Sequence, residues 1–260
     1  MLGAIAGDVI GSVHEWAETK TKDFPLLVAG SSFTDDSVLT VAVADWILHP
    51  ELDLVEVFHH YFEKYPQRGY GGMFYQWAEK RNRKPYNSFG NGSAMRVSPV
   101  GFAFDTLKEV LLWAERSAAV THNHPEGIRG AQATAAAIFL ARRSRDKKQI
   151  KEEIGLRFGY NLSKRIEEIR PTYRFSETCR ETVPQAIVAF LESTSYEDAI
   201  RNAISLGGDA DTLACIAGGI AEAYYGKIPR HIAAPIKERL DPGLLGVINV
   251  FYGSLLSNDQ

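Results

Sequence analysis

The chain has 260 residues, with 29 basic and 32 acidic side chains and a formal net charge of −3. This balance offers no basic surface for nucleic-acid phosphates, so we expect no nucleic-acid partner. Apolar segments are interrupted before they reach the ~20 residues of a bilayer span, and the N-terminus lacks a secretory signal pattern. We therefore expect a cytoplasmic protein without a membrane partner.

The chain shows no linker-like stretch and no change of composition along its length, so we predict a single domain over residues 1–260. The two cysteines, Cys179 and Cys215, are too few for a disulfide framework and lack metal-ligand spacing. Buried packing is the expected role of both.

Helical patterns dominate the chain, and strand-like alternation is nearly absent. Segments rich in Ala and Leu predict helices over 37–48, 107–120, 128–141 and 185–192. Charged segments predict surface helices over 147–155 and 162–170. A last helix, near 213–224, is apolar on almost all sides and is expected inside a bundle, where Gly218 and Gly219 allow another helix backbone to approach closely.

Two of these apolar helices begin with a hydroxyl residue and two carboxylates. The residues are Thr34, Asp35 and Asp36 at the first helix start and Asp209, Asp211 and Thr212 at the second. Helix capping is one interpretation, because a side-chain oxygen there accepts backbone N–H bonds and a carboxylate interacts favourably with the helix dipole. A cap needs only one acceptor, however, and buried unpaired anions repel one another, which favours a bound cation.

Oxygen ligands without His or Cys suit Mg²⁺, Mn²⁺ or Ca²⁺ better than Zn²⁺. If the two helix starts meet in space, they offer enough carboxylates and hydroxyls for two metal ions roughly 3.5 to 4 Å apart. Gly207 and Gly208 precede the second helix start and allow Asp209 to turn back towards Asp211 and Thr212.

Five segments occur in the order found in the ADP-ribosylglycohydrolase family, which the chain resembles. They are GAIAGDVIGSVHEW (3–16), FTDDS (33–37), SFGNGSAMRVSPVG (88–101), THNHP (121–125) and GGDADTLACIAGGIAEAYYG (207–226). The family includes dinitrogenase-reductase-activating glycohydrolases and mammalian ADP-ribosyl-acceptor hydrolases. The resemblance implies an all-α orthogonal helical bundle with a binuclear Mg²⁺ or Mn²⁺ site at the bottom of an ADP-ribose cleft.

The resemblance also implies roles for particular residues. The metal ligands fall on the six residues of the two helix starts, and Glu15 or Asp36 is the expected general acid or base, with Glu15 favoured. The expected activity is hydrolysis of the N- or O-glycosidic bond between ADP-ribose and a protein side chain or a small acceptor. A non-catalytic ADP-ribose-binding or crystallin-like protein and a metal-dependent phosphohydrolase are the alternatives.

Substrate binding is expected from Phe89, Gly90, Asn91, Gly92 and Ser93 in a glycine segment and from His122. Backbone N–H groups of Gly90, Gly92 and Ser93 could approach the diphosphate at a helix N-terminus, next to Asn91, and Phe89 could border the nucleotide. The resemblance places His122 against the substrate. An ordinary turn is the alternative for the glycine segment.

Four further features leave alternatives open. Asp8 is expected to hold the acidic loops by hydrogen bonds rather than to bind metal, and Arg96 to be a salt-bridge partner rather than a phosphate ligand. A zinc site at His122 and His124 lacks a third ligand at motif spacing, and a helix cap is the other interpretation. The aromatic residues over 70–77 could be either packing or a lid over the adenine.

Overall fold

The structure is a computed structural model that describes residues 1–258. Within that range it contains fifteen α-helices and no strand apart from an isolated bridge between Gly90 and Thr178. The helices are α1 (Leu2–Gly11), α2 (Asp35–Leu48), α3 (Leu54–Lys64), α4 (Gly72–Glu79), α5 (Gly92–Met95), α6 (Ser98–Ala103), α7 (Leu107–Ala119), α8 (Pro125–Ser144), α9 (Lys147–Phe158), α10 (Ile166–Ile169), α11 (Cys179–Leu191), α12 (Tyr196–Ile204), α13 (Ala210–Tyr225), α14 (Arg230–Arg239) and α15 (Pro242–Asn258).

The all-α prediction is confirmed. The predicted helices over 37–48, 107–120, 128–141 and 147–155 correspond to α2, α7, α8 and α9, and the segment 185–192 forms the second half of α11. The two cysteines are buried and unpaired, as expected. The predicted single domain over 1–260 stays a prediction, and its last two residues lie outside the described range.

The prediction of a helix over 162–170 is wrong, because only α10 forms there, with four residues. The Asn161 side chain accepts a hydrogen bond from the Ser163 backbone N–H at 3.0 Å, which folds this stretch into a turn. Charge alone therefore identified a surface segment but not its backbone conformation.

The innermost contact of the bundle is between α1 and α13. Along α13 every residue from Ala210 to Ala221 is buried, and a methyl group on Gly218 would lie 2.2 Å from the carbonyl oxygen of Gly3. Gly7 is packed equally tightly, since its Cβ would lie 2.1 Å from the Ala214 carbonyl oxygen. The close approach of another helix backbone that was predicted at Gly218 and Gly219 is confirmed at Gly218, whereas a Cβ on Gly219 would meet only side chains, at 3.3 Å or more.

Gly7→Ala is expected to destabilise the protein by about 3 kcal/mol, because a methyl group there must push α1 away from the backbone of α13. Urea unfolding followed by circular dichroism measures this change. Gly246→Ala is the matched control, since no atom lies within 4 Å of its added methyl group, and its effect should stay within about 1 kcal/mol. Equal effects of the two substitutions would contradict the packing argument.

This packing brings three chain segments to one side of the bundle. Asp8 lies on α1, the first acidic helix start opens α2, and the second opens α13. None of the helices in residues 1–258 combines the length and the apolar character that a membrane crossing requires. The expected cytoplasmic location stays a prediction.

Candidate metal centre and substrate cleft

The two acidic helix starts meet in one cleft. The Thr212 hydroxyl lies 3.5 Å from a carboxylate oxygen of Asp36, which joins the second helix start to the first. The cleft encloses about 190 Å³, and all six predicted ligand residues line it together with Glu15. The convergence that the sequence left open is therefore present in the structure.

Asp8 accepts hydrogen bonds that fix the start of α2. One of its carboxylate oxygens accepts hydrogen bonds from the backbone N–H groups of Thr34 and Ser37, at 3.0 and 3.1 Å, and from the Ser37 hydroxyl. Its other oxygen accepts from the Thr34 hydroxyl at 2.7 Å. Asp8 is fully buried and does not line the cleft, so the structure shows the supporting contacts expected of it.

Capping accounts for only part of this arrangement. The Thr34 hydroxyl accepts from the Asp36 backbone N–H at 3.3 Å and so caps α2. Asp209 occupies the capping position of α13, but its side chain makes no capping hydrogen bond. It accepts instead from the Asn91 side chain, at 2.7 Å. The carboxylate of Asp209 is therefore held facing the cleft rather than turned into its own helix.

Asn91 has a role that the sequence did not reveal. Its side-chain amide donates to Asp209 and to the Thr182 hydroxyl, at 3.1 Å, and its backbone N–H donates to the Glu177 carbonyl at 2.7 Å. Asn91 thus orients Asp209, a candidate metal ligand, through this hydrogen bond. These hydrogen bonds account for the position of the Asn91 side chain without the substrate contact that was predicted for it.

Asn91→Ala is expected to weaken Mg²⁺ binding by roughly 10- to 100-fold, because Asp209 then loses the group that orients it. Isothermal titration with Mg²⁺ measures the affinity. Asn161→Ala is a suitable control, since Asn161 is exposed and does not line the cleft. An unchanged Mg²⁺ affinity in Asn91→Ala would show that Asp209 needs no such support.

The carboxylates of the cleft make no ion pair with any described cation, although the charge of Arg96, which also lines the cleft, interacts with that of Asp35. None of the ion pairs in residues 1–258 involves Asp35, Asp36, Asp209 or Asp211, and one carboxylate oxygen of Asp36 is buried without a hydrogen-bond partner. Burial, and then repulsion by neighbouring carboxylates, raises the pKa of Asp35, Asp36 and Asp211 well above the usual value. This excess of negative charge calls for a cation.

Glu15 lies half-buried at the rim of this cluster. One carboxylate oxygen from each of Glu15, Asp209 and Asp211 can be chosen so that all three lie within 4.8 Å of one another. Burial, followed by repulsion from Asp209 and Glu177, raises the pKa of Glu15 to about 7. A carboxyl group with that pKa can hold or release a proton near neutral pH.

The donor set fits a divalent cation with oxygen ligands. Carboxylate and hydroxyl oxygens are the ligands that Mg²⁺ and Mn²⁺ take in proteins. The unpartnered oxygen of Asp36 and the crowded oxygens of Glu15, Asp209 and Asp211 are the atoms such ions would contact. His122 and His124 form no metal-binding group with other described residues. His124 instead caps α8 by accepting from the Glu126 backbone N–H at 3.1 Å.

The glycine segment lines the cleft only in part. Gly90, Asn91 and Gly92 line it, whereas Phe89 is 52% exposed and lies against His124 outside it. The Ser93 side chain is buried and donates to the Gly127 carbonyl at 2.7 Å. Phe89 and the Ser93 side chain therefore lie outside the cleft, and the substrate contacts expected of Phe89 and of the Ser93 backbone stay predictions.

The backbone N–H groups of this segment also differ from the prediction. Gly90 donates its N–H to the Ser88 hydroxyl at 3.0 Å, so that group is already used. Gly92 and Ser93 form the first turn of α5, where backbone N–H groups have no partner within the helix. The Gly92 N–H remains available to a ligand in the cleft, whereas Ser93 is 0% exposed and does not line the cleft.

His122 and Arg96 lie behind the glycine segment. His122 lines the cleft, as predicted, and is 5% exposed. Arg96 is fully buried and makes no ion pair with any carboxylate of the described residues, so the expected salt bridge is absent. Its guanidinium stacks over the Phe58 ring at 4.5 Å from the ring centre. Burial lowers the pKa of Arg96 to about 10, which leaves it charged at neutral pH.

The sequence missed several cleft residues. Glu177 lines the cleft and repels Glu15, although it lies in none of the five family segments. The aromatic segment over 70–77 mainly packs, because Tyr70, Phe74 and Trp77 are buried, while Met73 is 56% exposed and faces the cleft. Tyr86 and Ser88 also line the cleft. No local sequence pattern marks these residues, since only the fold brings them to the cleft.

Comparison with known proteins gives the same family over the whole described fold. The family model for ADP-ribosylglycohydrolases matches residues 1–254. The chain belongs to the ADP-ribosylglycohydrolase family. The family resemblance that the five motifs carry is therefore confirmed, and the fold is that of an ADP-ribosylglycohydrolase.

Individual relatives cover most of the chain. ADP-ribosylhydrolase ARH3 of Mus musculus is 28% identical and aligns with 87% of this chain and 82% of its own length. ADP-ribosylarginine hydrolase Tri1 of Pseudomonas putida (strain GB-1) is 25% identical, over 87% of this chain and 69% of its own. A solved structure entitled ADP-ribosylglycohydrolase-related protein complex superimposes with a TM-score of 0.63 at 22% identity, covering 92% of this chain and 96% of that one.

Proposed function

We propose that the protein is a metal-dependent hydrolase that cleaves the N- or O-glycosidic bond between ADP-ribose and a modified protein side chain or a small ADP-ribosyl compound. The convergence of two acidic helix starts in one cleft carries this proposal. Relatives named ADP-ribosylhydrolase and ADP-ribosylarginine hydrolase support the ADP-ribosyl substrate.

We assign the metal site to the oxygen donors of the two helix starts. Thr34, Asp35 and Asp36 would hold one side and Asp209, Asp211 and Thr212 the other. Two Mg²⁺ ions, or Mn²⁺ in their place, would neutralise these carboxylates and supply Lewis-acid chemistry for a ribose with vicinal hydroxyls. Asp8 and Asn91 keep the donors oriented by their hydrogen bonds to Thr34 and Asp209.

The remaining cleft residues suit the rest of the substrate. The free N–H group of Gly92 lies at the start of α5 and lines the cleft, where a diphosphate oxygen would be accepted. His122 lies beside it. Cleavage of a glycosidic bond develops positive charge on the ribose, which the surrounding carboxylates stabilise.

Glu15 is the group we assign to proton transfer. It is half-buried at the rim, where it can reach both the cleft and solvent, and its pKa of about 7 allows either protonation state near neutral pH. Asp36 is 3% exposed and accepts from the Thr212 hydroxyl, so a ligand role suits it better than proton exchange.

A panel of defined substrates tests this proposal. Peptides that carry ADP-ribose on arginine or on serine, and small ADP-ribosyl compounds, are incubated with the protein in Mg²⁺ or in EDTA, and the products are read by mass spectrometry. We expect free ADP-ribose from at least one substrate in Mg²⁺ and none in EDTA. Release of AMP or phosphate would indicate a phosphohydrolase, and ADP-ribose binding without turnover of any substrate would indicate a non-catalytic protein.

A further inference from the structure

A buried chain of three polar side chains leads from the protein interior to the cleft. Arg96, which is 0% exposed, donates from one guanidinium nitrogen to the Ser117 carbonyl at 2.7 Å and to the Thr121 hydroxyl at 2.8 Å. The Thr121 hydroxyl is in turn 2.7 Å from Nδ1 of His122. The series thus begins at a buried cation that borders the cleft and ends at His122, which also lines it.

The direction of the proton in this chain follows from the chemistry of the three groups. A guanidinium can only donate, so the Thr121 oxygen must accept from Arg96. A hydroxyl that accepts from a cation becomes a stronger donor and a poorer second acceptor. The Thr121 proton therefore points to Nδ1 of His122.

The other ring nitrogen of His122 faces the substrate side. Nε2 lies 3.1 Å from the position that a Cβ on Gly92 would take and 3.6 Å from that on Gly90, and both glycines line the cleft. No described side chain or backbone group makes a hydrogen bond to Nε2. Burial, and then the positive charge of Arg96, lowers the pKa of His122 well below its usual value, so the ring is neutral.

We propose that Arg96, acting through the Thr121 hydroxyl, holds His122 as the neutral tautomer with its proton on Nε2. Arg96 and Thr121 are positioning residues, and Nε2–H becomes an uncharged donor for an anionic oxygen in the cleft. The identification of that oxygen with the diphosphate of an ADP-ribosyl group rests on the proposed function. The tautomer itself does not.

The tautomer is measured by imidazole ¹⁵N NMR on protein labelled with ¹⁵N-histidine, with His122 assigned from a His122→Asn spectrum. The wild type should show a protonated Nε2 and an unprotonated Nδ1 at neutral pH. Thr121→Val removes the hydroxyl at constant shape and should produce a mixture of tautomers, whereas Thr121→Ser should keep the wild-type pattern. A proton on Nδ1 in the wild type, or an unchanged tautomer in Thr121→Val, would overturn the proposal.

Arg96 is tested in the same spectrum. Arg96→Met removes the charge and should also mix the tautomers, while Arg96→Lys should restore the wild-type pattern. An Arg96→Met spectrum identical to that of the wild type would overturn the role of Arg96. If Arg96→Met does not fold, a mixed tautomer in Arg96→Gln supports the role of the charge and an unchanged one overturns it.

Binding of free ADP-ribose separates this proposal from the proposed function. The Kd should rise by about tenfold in Thr121→Val and stay near the wild-type value in Thr121→Ser. Equal Kd values in wild type and Thr121→Val would overturn the donor role of Nε2. If the wild type binds no ADP-ribose, the proposed function fails, while the NMR result still decides the tautomer.

Discussion

Asp36→Asn is expected to lower the hydrolysis rate by about 10³-fold without lowering the melting temperature of the metal-free protein. The amide keeps the shape of the side chain but removes the charge that a divalent cation needs, and several kcal/mol of stabilisation in the transition state are lost. In the metal-free protein the change also removes a carboxylate whose repulsion, after burial and the repulsion by Asp209, raises the pKa of Asp211. The metal-free melting temperature should therefore stay equal or rise.

Asp45→Asn is the matched control for this substitution. Asp45 lies on the same helix, α2, but accepts a hydrogen bond from Tyr61 at 3.0 Å and does not line the cleft. Its turnover and its Mg²⁺ affinity by isothermal titration should equal those of the wild type. Wild-type turnover by Asp36→Asn, or a loss of turnover explained entirely by unfolding, would refute the assignment of Asp36.

The stability of the metal-free protein is expected to fall as the pH rises from about 5 to 8. Burial and mutual repulsion raise the pKa of Asp35, Asp36 and Asp211 in the folded chain, whereas an unfolded aspartate titrates near ~3.9. Between the unfolded and the raised folded values, the folded chain holds more protons than the unfolded chain. The free energy of unfolding therefore decreases with pH in this window.

Bound Mg²⁺ should cancel this loss, because its ligands are deprotonated carboxylates. The rise in melting temperature on addition of Mg²⁺ is thus expected to be larger at pH 8 than at pH 5. Differential scanning fluorimetry with Mg²⁺ and with EDTA at each pH measures it, and the difference between the two removes the contribution of groups outside the site. A rise of the same size at both pH values would contradict the account.

The family, the helical class and the acidic helix starts could be predicted from sequence because each depends on local pattern. The apolar period of α13 and the paired carboxylates before it are visible within about twenty consecutive residues. The meeting of Asp36 with Thr212 could be inferred only through the family, because it depends on how α1, α2 and α13 pack. From the charges alone, a metal site is predicted only if the two helix starts meet in space.

The contacts that the sequence did not reveal share a physical cause. Asn91 was interpreted from its place in a glycine-rich turn, but its partners, Thr182 and Asp209, are about a hundred residues away along the chain. Arg96 was expected to have a carboxylate partner. Its guanidinium instead stacks on an aromatic ring and donates hydrogen bonds to a carbonyl and a hydroxyl. Tertiary packing determines which groups contact a buried polar side chain, and the local sequence pattern does not contain that information.

The central claim is that Thr34, Asp35, Asp36, Asp209, Asp211 and Thr212 together hold two divalent ions. Crystals grown with MnCl₂ and measured for anomalous scattering at the manganese edge test it most directly. We predict two anomalous peaks roughly 3.5 to 4 Å apart between the starts of α2 and α13. No peak there, or manganese bound only elsewhere on the molecule, would contradict the claim.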